Sequence, residues 1–118
     1  MGVVVRHNDR SVSADRTKKD GGKGQGFTAE GLLMSAVAAA STQAIKAAGK
    51  AHKIDAKALE SVSVSVTQES ETRFTRTVTL PASLSAEQQR VLGDAAAAST
   101  IDPLLAVDVT TTVKTTAG

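Results

Sequence analysis

The sequence predicts an α+β fold with the element order ββ-α-β-β-α-β. Three features carry that reading: a long Ala-rich helical run with no charge at its centre, a strictly alternating strand answered by one that stops at a proline, and a capped helix leading into a final Val/Thr strand. With 118 residues the chain is expected to form a single domain, 1–118, around one core.

The first two strands are VVVRH (3–7) and RSVSA (10–14), joined at Asn8-Asp9, a pair suited to the positive φ of a two-residue hairpin turn. DRTKKDGGKGQG (15–26) is polar and Gly-rich without periodicity, which reads as a mobile loop. A helix is expected from about Thr28, whose hydroxyl caps free amides, with Glu30 in the first turn at the positive end of the dipole. Gly49 is its expected stop, after Ala48. Leu33, Val37, Ala40, Ala44 and Ala48 share one face, while Leu32, Ala36, Ala39 and Gln43 share the next.

The stretch from Leu32 to Ile45 contains no charged residue, so both faces are expected to be buried at the N-terminal half. A short polar connection containing His52 follows. SVSVSVTQE (61–69) then alternates, with Val62, Val64 and Val66 on one face, and RFTRTVTL (73–80) pairs with it antiparallel, Phe74, Val78 and Leu80 inward. Pro81 cannot continue a ladder. Ser85 with Gln88 forms a capping-box signature for a helix from Ala86 to about Ala98, with Val91, Leu92, Ala95 and Ala98 inward. Asp102-Pro103 reads as a turn, and LLAVDVTTTVK (104–114) as the last strand, with Val107, Val109 and Val113 on one face.

Composition removes several function classes. There is no Cys, hence no disulfide, thiolate metal site or thiol chemistry. His7 and His52 stand far apart, which is no metal-ligand set, and no cofactor is expected. Fourteen basic against twelve acidic residues, spread along the chain, leave +2, which is no footprint for nucleic acid, and Phe27 and Phe74 alone provide no stacking platform. The apolar run 32–40 is too short to span a membrane, and MGVVVRHNDR does not read as a secretory signal, so the cytoplasm is the expected compartment. A core of Ala, Val, Leu and Ile buries little area per side chain, so a domain of this size gains from a second subunit.

The order of elements and several short motifs resemble the osmotically inducible protein C and organic hydroperoxide resistance (OsmC/Ohr) family. Its members show a Gly-Gly loop, then Pro-Glu-x-Leu-Leu-x-Ala-Ala-x-x-x-Cys on the first helix, and Cys-Pro-hydrophobic-x-x-x-Leu after the second. Here stand Gly21-Gly22, then Ala29-Glu30-Gly31-Leu32-Leu33 leading into Ala36, and Ser99-Thr100-Ile101 ending in Leu105. The correspondence runs from about Val12 onward. It implies an intertwined homodimer in which the first helices of both subunits lie at the centre, which would wall the uncharged run 32–45 with the partner chain.

The family's chemistry is thiol peroxidation, in which one Cys attacks an organic hydroperoxide and a second resolves the sulfenic acid, aided by an Arg and a Glu. Counting from Glu30, the resemblance puts the peroxidatic position on Ala40, with Ser41 adjacent, and the resolving position on Ser99. Neither replacement can do the reaction, because a Ser hydroxyl is not appreciably ionised at neutral pH and forms no sulfenic acid. Arg6 and Arg10 lie in the region of the family's Arg but in no matching motif, and Glu30 alone matches by position.

Each candidate also has a plainer role. Glu30 serves either as a pocket carboxylate above Ala40 or as a dipole-favoured residue of the first helical turn, and the two are compatible. Ser41, Thr42 and Gln43 either line a ligand pocket or bond to helix carbonyls; a nucleophilic Ser41 would need His7 or His52 within reach, and neither is placed there by sequence. Gly24-Gln25-Gly26-Phe27-Thr28-Ala29 has the form of a dinucleotide fingerprint but lacks the apolar strand that should precede it, leaving loop glycines with Lys18, Lys19 and Lys23 near a helix start that could hold an anion.

The expected function is binding of a small apolar or amphipathic ligand at the dimer interface near Glu30, Ala40, Ser41 and Ser99. The alternatives are a hydroperoxide reductase variant with substituted thiols, and a structural or regulatory dimer without ligand.

Overall fold

The fold, described by a computed structural model over residues 2–24 and 26–116, follows the order the sequence predicts, with one short helix added. The elements are β1 (Val3–His7), β2 (Arg10–Ala14), α1 (Ala29–Ala51), α2 (Ala56–Glu60), β3 (Ser63–Ser70), β4 (Arg73–Leu80), α3 (Ala86–Ala97) and β5 (Asp108–Thr115). Lys18–Asp20 and Asp102–Leu104 form single 3-10 turns. The chain divides into two compact units, 1–35 and 36–118, and α1 belongs in part to each.

In the N-terminal unit β1 and β2 pair antiparallel, closing at His7↔Arg10. Asn8 takes φ 56°, the left-handed conformation its short polar side chain tolerates, as the Asn-Asp turn predicts. All of β1 is exposed, including Val3, Val4 and Val5 at 53%, 58% and 45%.

The loop that follows carries its own network of hydrogen bonds over residues 15–24. The buried Asp15 carboxylate accepts the amides of Arg16 at 2.8 Å and Lys23 at 3.1 Å, while Gly22 donates to the Thr17 carbonyl and Gly24 to that of Arg16. A Cβ at Gly22 would sit 2.0 Å from the Arg16 carbonyl oxygen, so only glycine fits. Asp20, Gly21, Gly22, Lys23 and Gly24 thus spend their amides inside the loop, so these five are not free for an anion. Gln25, the middle of the Gly-x-Gly motif, lies outside the described residues.

Helix α1 begins as its sequence dictates, with Thr28 Oγ1 accepting the Gly31 amide at 2.9 Å. It continues to Ala51, past Gly49. The stop is Lys53, in the left-handed region at φ 57°, with the Ile54 amide bonded to the Gly49 carbonyl and the Lys53 amide to that of Lys50. This is a Schellman ending with Lys in the place usually taken by Gly. Gly49 is required for packing instead: a Cβ there would meet Leu59 Cδ2 at 2.4 Å. Leu59 comes from α2, which the polar composition of the connection conceals.

The larger unit holds a three-stranded sheet ordered β3-β4-β5. β3 and β4 are antiparallel, while β5 runs parallel to β4, with α3 as the crossover helix. Inward residues of β4 alternate as Phe74, Arg76, Val78 and Leu80, all buried. Val78 and Leu80 pack with Ile45, Ile54, Leu59, Val62, Leu84, Leu92 and Ala96 in one core. Each of the larger fully buried aliphatics contributes roughly 1.5–3 kcal/mol.

Capping of α3 is as expected, with Gln88 N–H donating to Ser85 Oγ at 3.1 Å and Ser85 N–H to Gln88 Oε1 at 2.9 Å. Its buried face is Leu92, Gly93 and Ala96, whereas Ala98, expected inside, is exposed beyond the helix end. The last strand starts at Asp108 rather than Leu104, because the 3-10 turn occupies 102–104.

Helix α1 buries only one stripe, Val37, Ser41, Ile45 and Gly49, spaced four residues apart. The two broad buried faces expected from its lack of charge are not both covered within the chain, since Leu33, Ala39 and Gln43 are exposed.

Candidate functional site

The strongest chemical feature of the larger unit is a charged side chain inside the core. Arg76 takes the inward phase of β4, between Phe74 and Val78, and is 1% exposed. Its guanidinium has five N–H donors, and all five are used. Nε donates to Thr111 Oγ1 at 3.1 Å; Nη1 donates to Ser41 Oγ and to Asp102 Oδ1, each at 3.0 Å; Nη2 donates to Asp102 Oδ2 and to Thr111 Oγ1, each at 2.9 Å. The pair with Asp102 is bidentate, the strongest geometry for a guanidinium and a carboxylate.

Topology assembles this cluster from four elements. The parallel register puts Thr111 opposite Arg76, α1 supplies Ser41 from its buried stripe, and the turn after α3 supplies Asp102. Ser41 is itself fully buried and donates its hydroxyl to the Val37 carbonyl at 2.7 Å. Its two partners are therefore a carbonyl and a cation, neither of which is a general base, and a nucleophilic role is unsupported.

Of the other residues singled out by sequence, Ala40 is half-buried and offers no functional group. Ser99 is 3% exposed, and its hydroxyl has no hydrogen-bond partner among the described residues. Glu30 belongs to the N-terminal unit, exposed in the first turn of α1. There it lines a cavity of about 570 Å³ together with Val3, Ala14, Thr17, Thr28 and Ala29, among others. Arg6, Arg10, His7 and His52 are all exposed. Sequence reasoning missed Arg76 and Asp102, although the alternation of β4 held the signal: Arg76 is in phase with three residues assigned to the core.

Elsewhere, Arg90 pairs with Glu87 and Asp94 on the exposed face of α3; its hydrogen bond and charge hold the Glu87 carboxyl below the usual range, while the hydrogen bond and charge of Glu87, and more weakly those of Asp94, raise the Arg90 pKa. Among the described residues no group of three or more His, Cys, Asp and Glu is placed to hold a metal ion, and no helix is long and apolar enough to cross a membrane.

No family sequence model matches the chain, and no curated protein matches it either. Solved structures do. An OsmC-like protein from Mycoplasma pneumoniae superimposes with a TM-score of 0.76 at 13% identity, covering 99% of this chain and 95% of that one. An organic hydroperoxide resistance protein from Elizabethkingia anophelis, crystallised with thiocyanate bound, gives 0.67 at 12%, covering 99% and 94%. An organic hydroperoxide resistance protein OsmC from Legionella pneumophila gives 0.56 at 19%, covering 99% and 97%. The architecture is thus that of OsmC/Ohr proteins over essentially the whole chain, in a sequence with no cysteine.

Proposed function

We propose that this chain is an OsmC-like stress protein without peroxidase chemistry, a single domain over 1–118 that works in the cytoplasm as a homodimer and binds a small apolar or amphipathic molecule. The observation that carries the reading is the combination of an OsmC/Ohr architecture with a sequence that has no cysteine; in our reading Ala40 and Ser99 stand where the resemblance puts the thiols, and Ser41 is buried against Arg76. An Ohr-type reaction needs a thiolate and its sulfenic acid, which these side chains cannot form.

Two features support a dimer. Val3, Val4, Val5, Phe27 and Leu33 are exposed apolar residues in one small unit, and α1 covers only one of its apolar stripes. The ligand reading draws on the 570 Å³ cavity beside Glu30, where Val3, Ala14 and Ala29 meet Thr17, Thr28 and the charged side chains of Asp15, Arg16, Asp20 and Glu30, so that an amphipathic molecule finds an apolar wall and, in Arg16, a partner for an anionic head. Ala40, Ser41 and Ser99 remain the binding candidates of the larger unit.

Native mass spectrometry of freshly purified protein tests both parts, followed by titration with cis-parinaric acid, a fluorescent fatty acid. A dimer with added mass, or saturable fluorescence enhancement that Arg16→Gln weakens by removing the cation that lines the cavity, supports the reading. A bare dimer without saturable binding favours a structural or regulatory role, and a monomer removes the dimer and everything built on it.

A further inference from the structure

We propose that the Arg76 guanidinium is a receptor for a two-oxygen anion, that the Asp102 carboxylate is its resident occupant, and that the Asp102–Leu104 turn is a plug which a small carboxylate displaces. The inference is independent of the ligand proposed above.

The receptor half is rigid. Arg76 is anchored in the central strand of the sheet, is 1% exposed, and is held from behind by Thr111 of the neighbouring strand and by Ser41 of α1. Those bonds leave one N–H on each terminal nitrogen, aimed in parallel at 3.0 and 2.9 Å at the two oxygens of Asp102. That fork fits any carboxylate, and among the described residues Asp102 is the one counter-charge bonded to Arg76.

Among the described residues, the plug half has one long-range polar fastening, the ion pair itself. The turn buries none of its residues: the Asp102 side chain is 20% exposed and Leu104 is 81% exposed. Its backbone bonds are all local, from the Asp102 amide to the Ser99 carbonyl, Leu104 to Ile101 and Leu105 to Asp102. Among the described residues, the turn's polar attachment to the rest of the unit is therefore the Asp102–Arg76 pair. A segment fastened by one ion pair opens locally long before the sheet unfolds. Each opening exposes a preformed cationic fork in a low-dielectric wall, where an unpaired guanidinium is costly and an incoming carboxylate is favoured.

The decisive experiment is chemical rescue. Asp102→Ala removes the occupant and leaves space where formate fits. Thermal unfolding of this variant is compared in sodium formate and in sodium chloride at equal ionic strength, beside wild type and Arg76→Met/Asp102→Ala. Formate is expected to raise the Tm of Asp102→Ala by several degrees in a saturable manner, and to leave the double variant unmoved. Equal shifts in the single and double variants would overturn the receptor. Hydrogen exchange of the wild-type protein tests the plug without any mutation, and decides the matter if Asp102→Ala does not fold. Formate should accelerate exchange of the Leu104 and Leu105 amides severalfold over chloride while β4 amides stay unchanged; identical exchange in both salts would overturn displacement.

Discussion

The two units of this chain satisfy their side chains in opposite ways. The larger unit closes a core on itself and even neutralises a buried guanidinium, with every donor of Arg76 partnered inside the unit. The smaller one leaves three consecutive valines of β1 half open to water and concentrates its internal bonding in a loop around Asp15. A lone two-stranded hairpin is marginal in water. The larger unit thus closes a core of its own while leaving Leu104 and the outer side of α1 open, whereas the smaller one has most of its large apolar side chains, those of β1 and Phe27, at the surface.

If that contrast is right, substitutions in the larger unit cost stability and substitutions in β1 do not. The largest effect belongs to Asp102→Ala, which strands a buried cation and should lower the unfolding free energy by about 3–5 kcal/mol in urea titration. The matched double change Arg76→Met/Asp102→Leu should recover much of that loss; a double variant as weak as the single would show that the charges themselves are not the issue. Gly49→Ala comes next, at about 1–3 kcal/mol, because its methyl must displace Leu59. Ser85→Ala, which dissolves the capping box of α3, should cost about 1 kcal/mol by the same titration.

The smallest effects sharpen the comparison. Ser99→Ala should be neutral or slightly stabilising, since it deletes a buried hydroxyl that has no partner among the described residues. Val4→Thr, on the exposed β1, should shift urea stability by less than about 0.5 kcal/mol while weakening any dimer seen by native mass spectrometry. A cost equal to that of Ser85→Ala would mean these valines are packed, and the contrast between the units would fail.

Local signals in the sequence translate well where the responsible residues are neighbours. Asn8 closes the hairpin, Thr28 and Ser85 cap their helices, and Pro81 follows the last residue of β4, each through interactions within a few positions. The misreadings are tertiary. Gly49 looks like a helix stop, but its lack of a side chain serves Leu59 ten residues on, and α2 is too short to show a period. The candidate site suffers most. Arg76 carries a legible oddity, a charge in the inward phase of a strand, but its partners Ser41, Asp102 and Thr111 lie 35, 26 and 35 residues away and reach it from α1, from the turn after α3 and through the parallel β4–β5 register. Ser41 is legible as a polar residue on its helix; what it touches is not.

Those separations also bear on how the molecule comes apart. Contacts between distant chain positions are slow to assemble, because loop closure must precede them. The five bonds of Arg76 require α1, the crossover and β5 to be in place together, so they are expected to form after the rate-limiting step of folding. Interactions absent from that step act almost wholly on the reverse rate. The buried guanidinium is then less a contributor to how fast the protein folds than a brake on how fast it is lost, and its removal would shorten the lifetime of the native state more than it delays its formation.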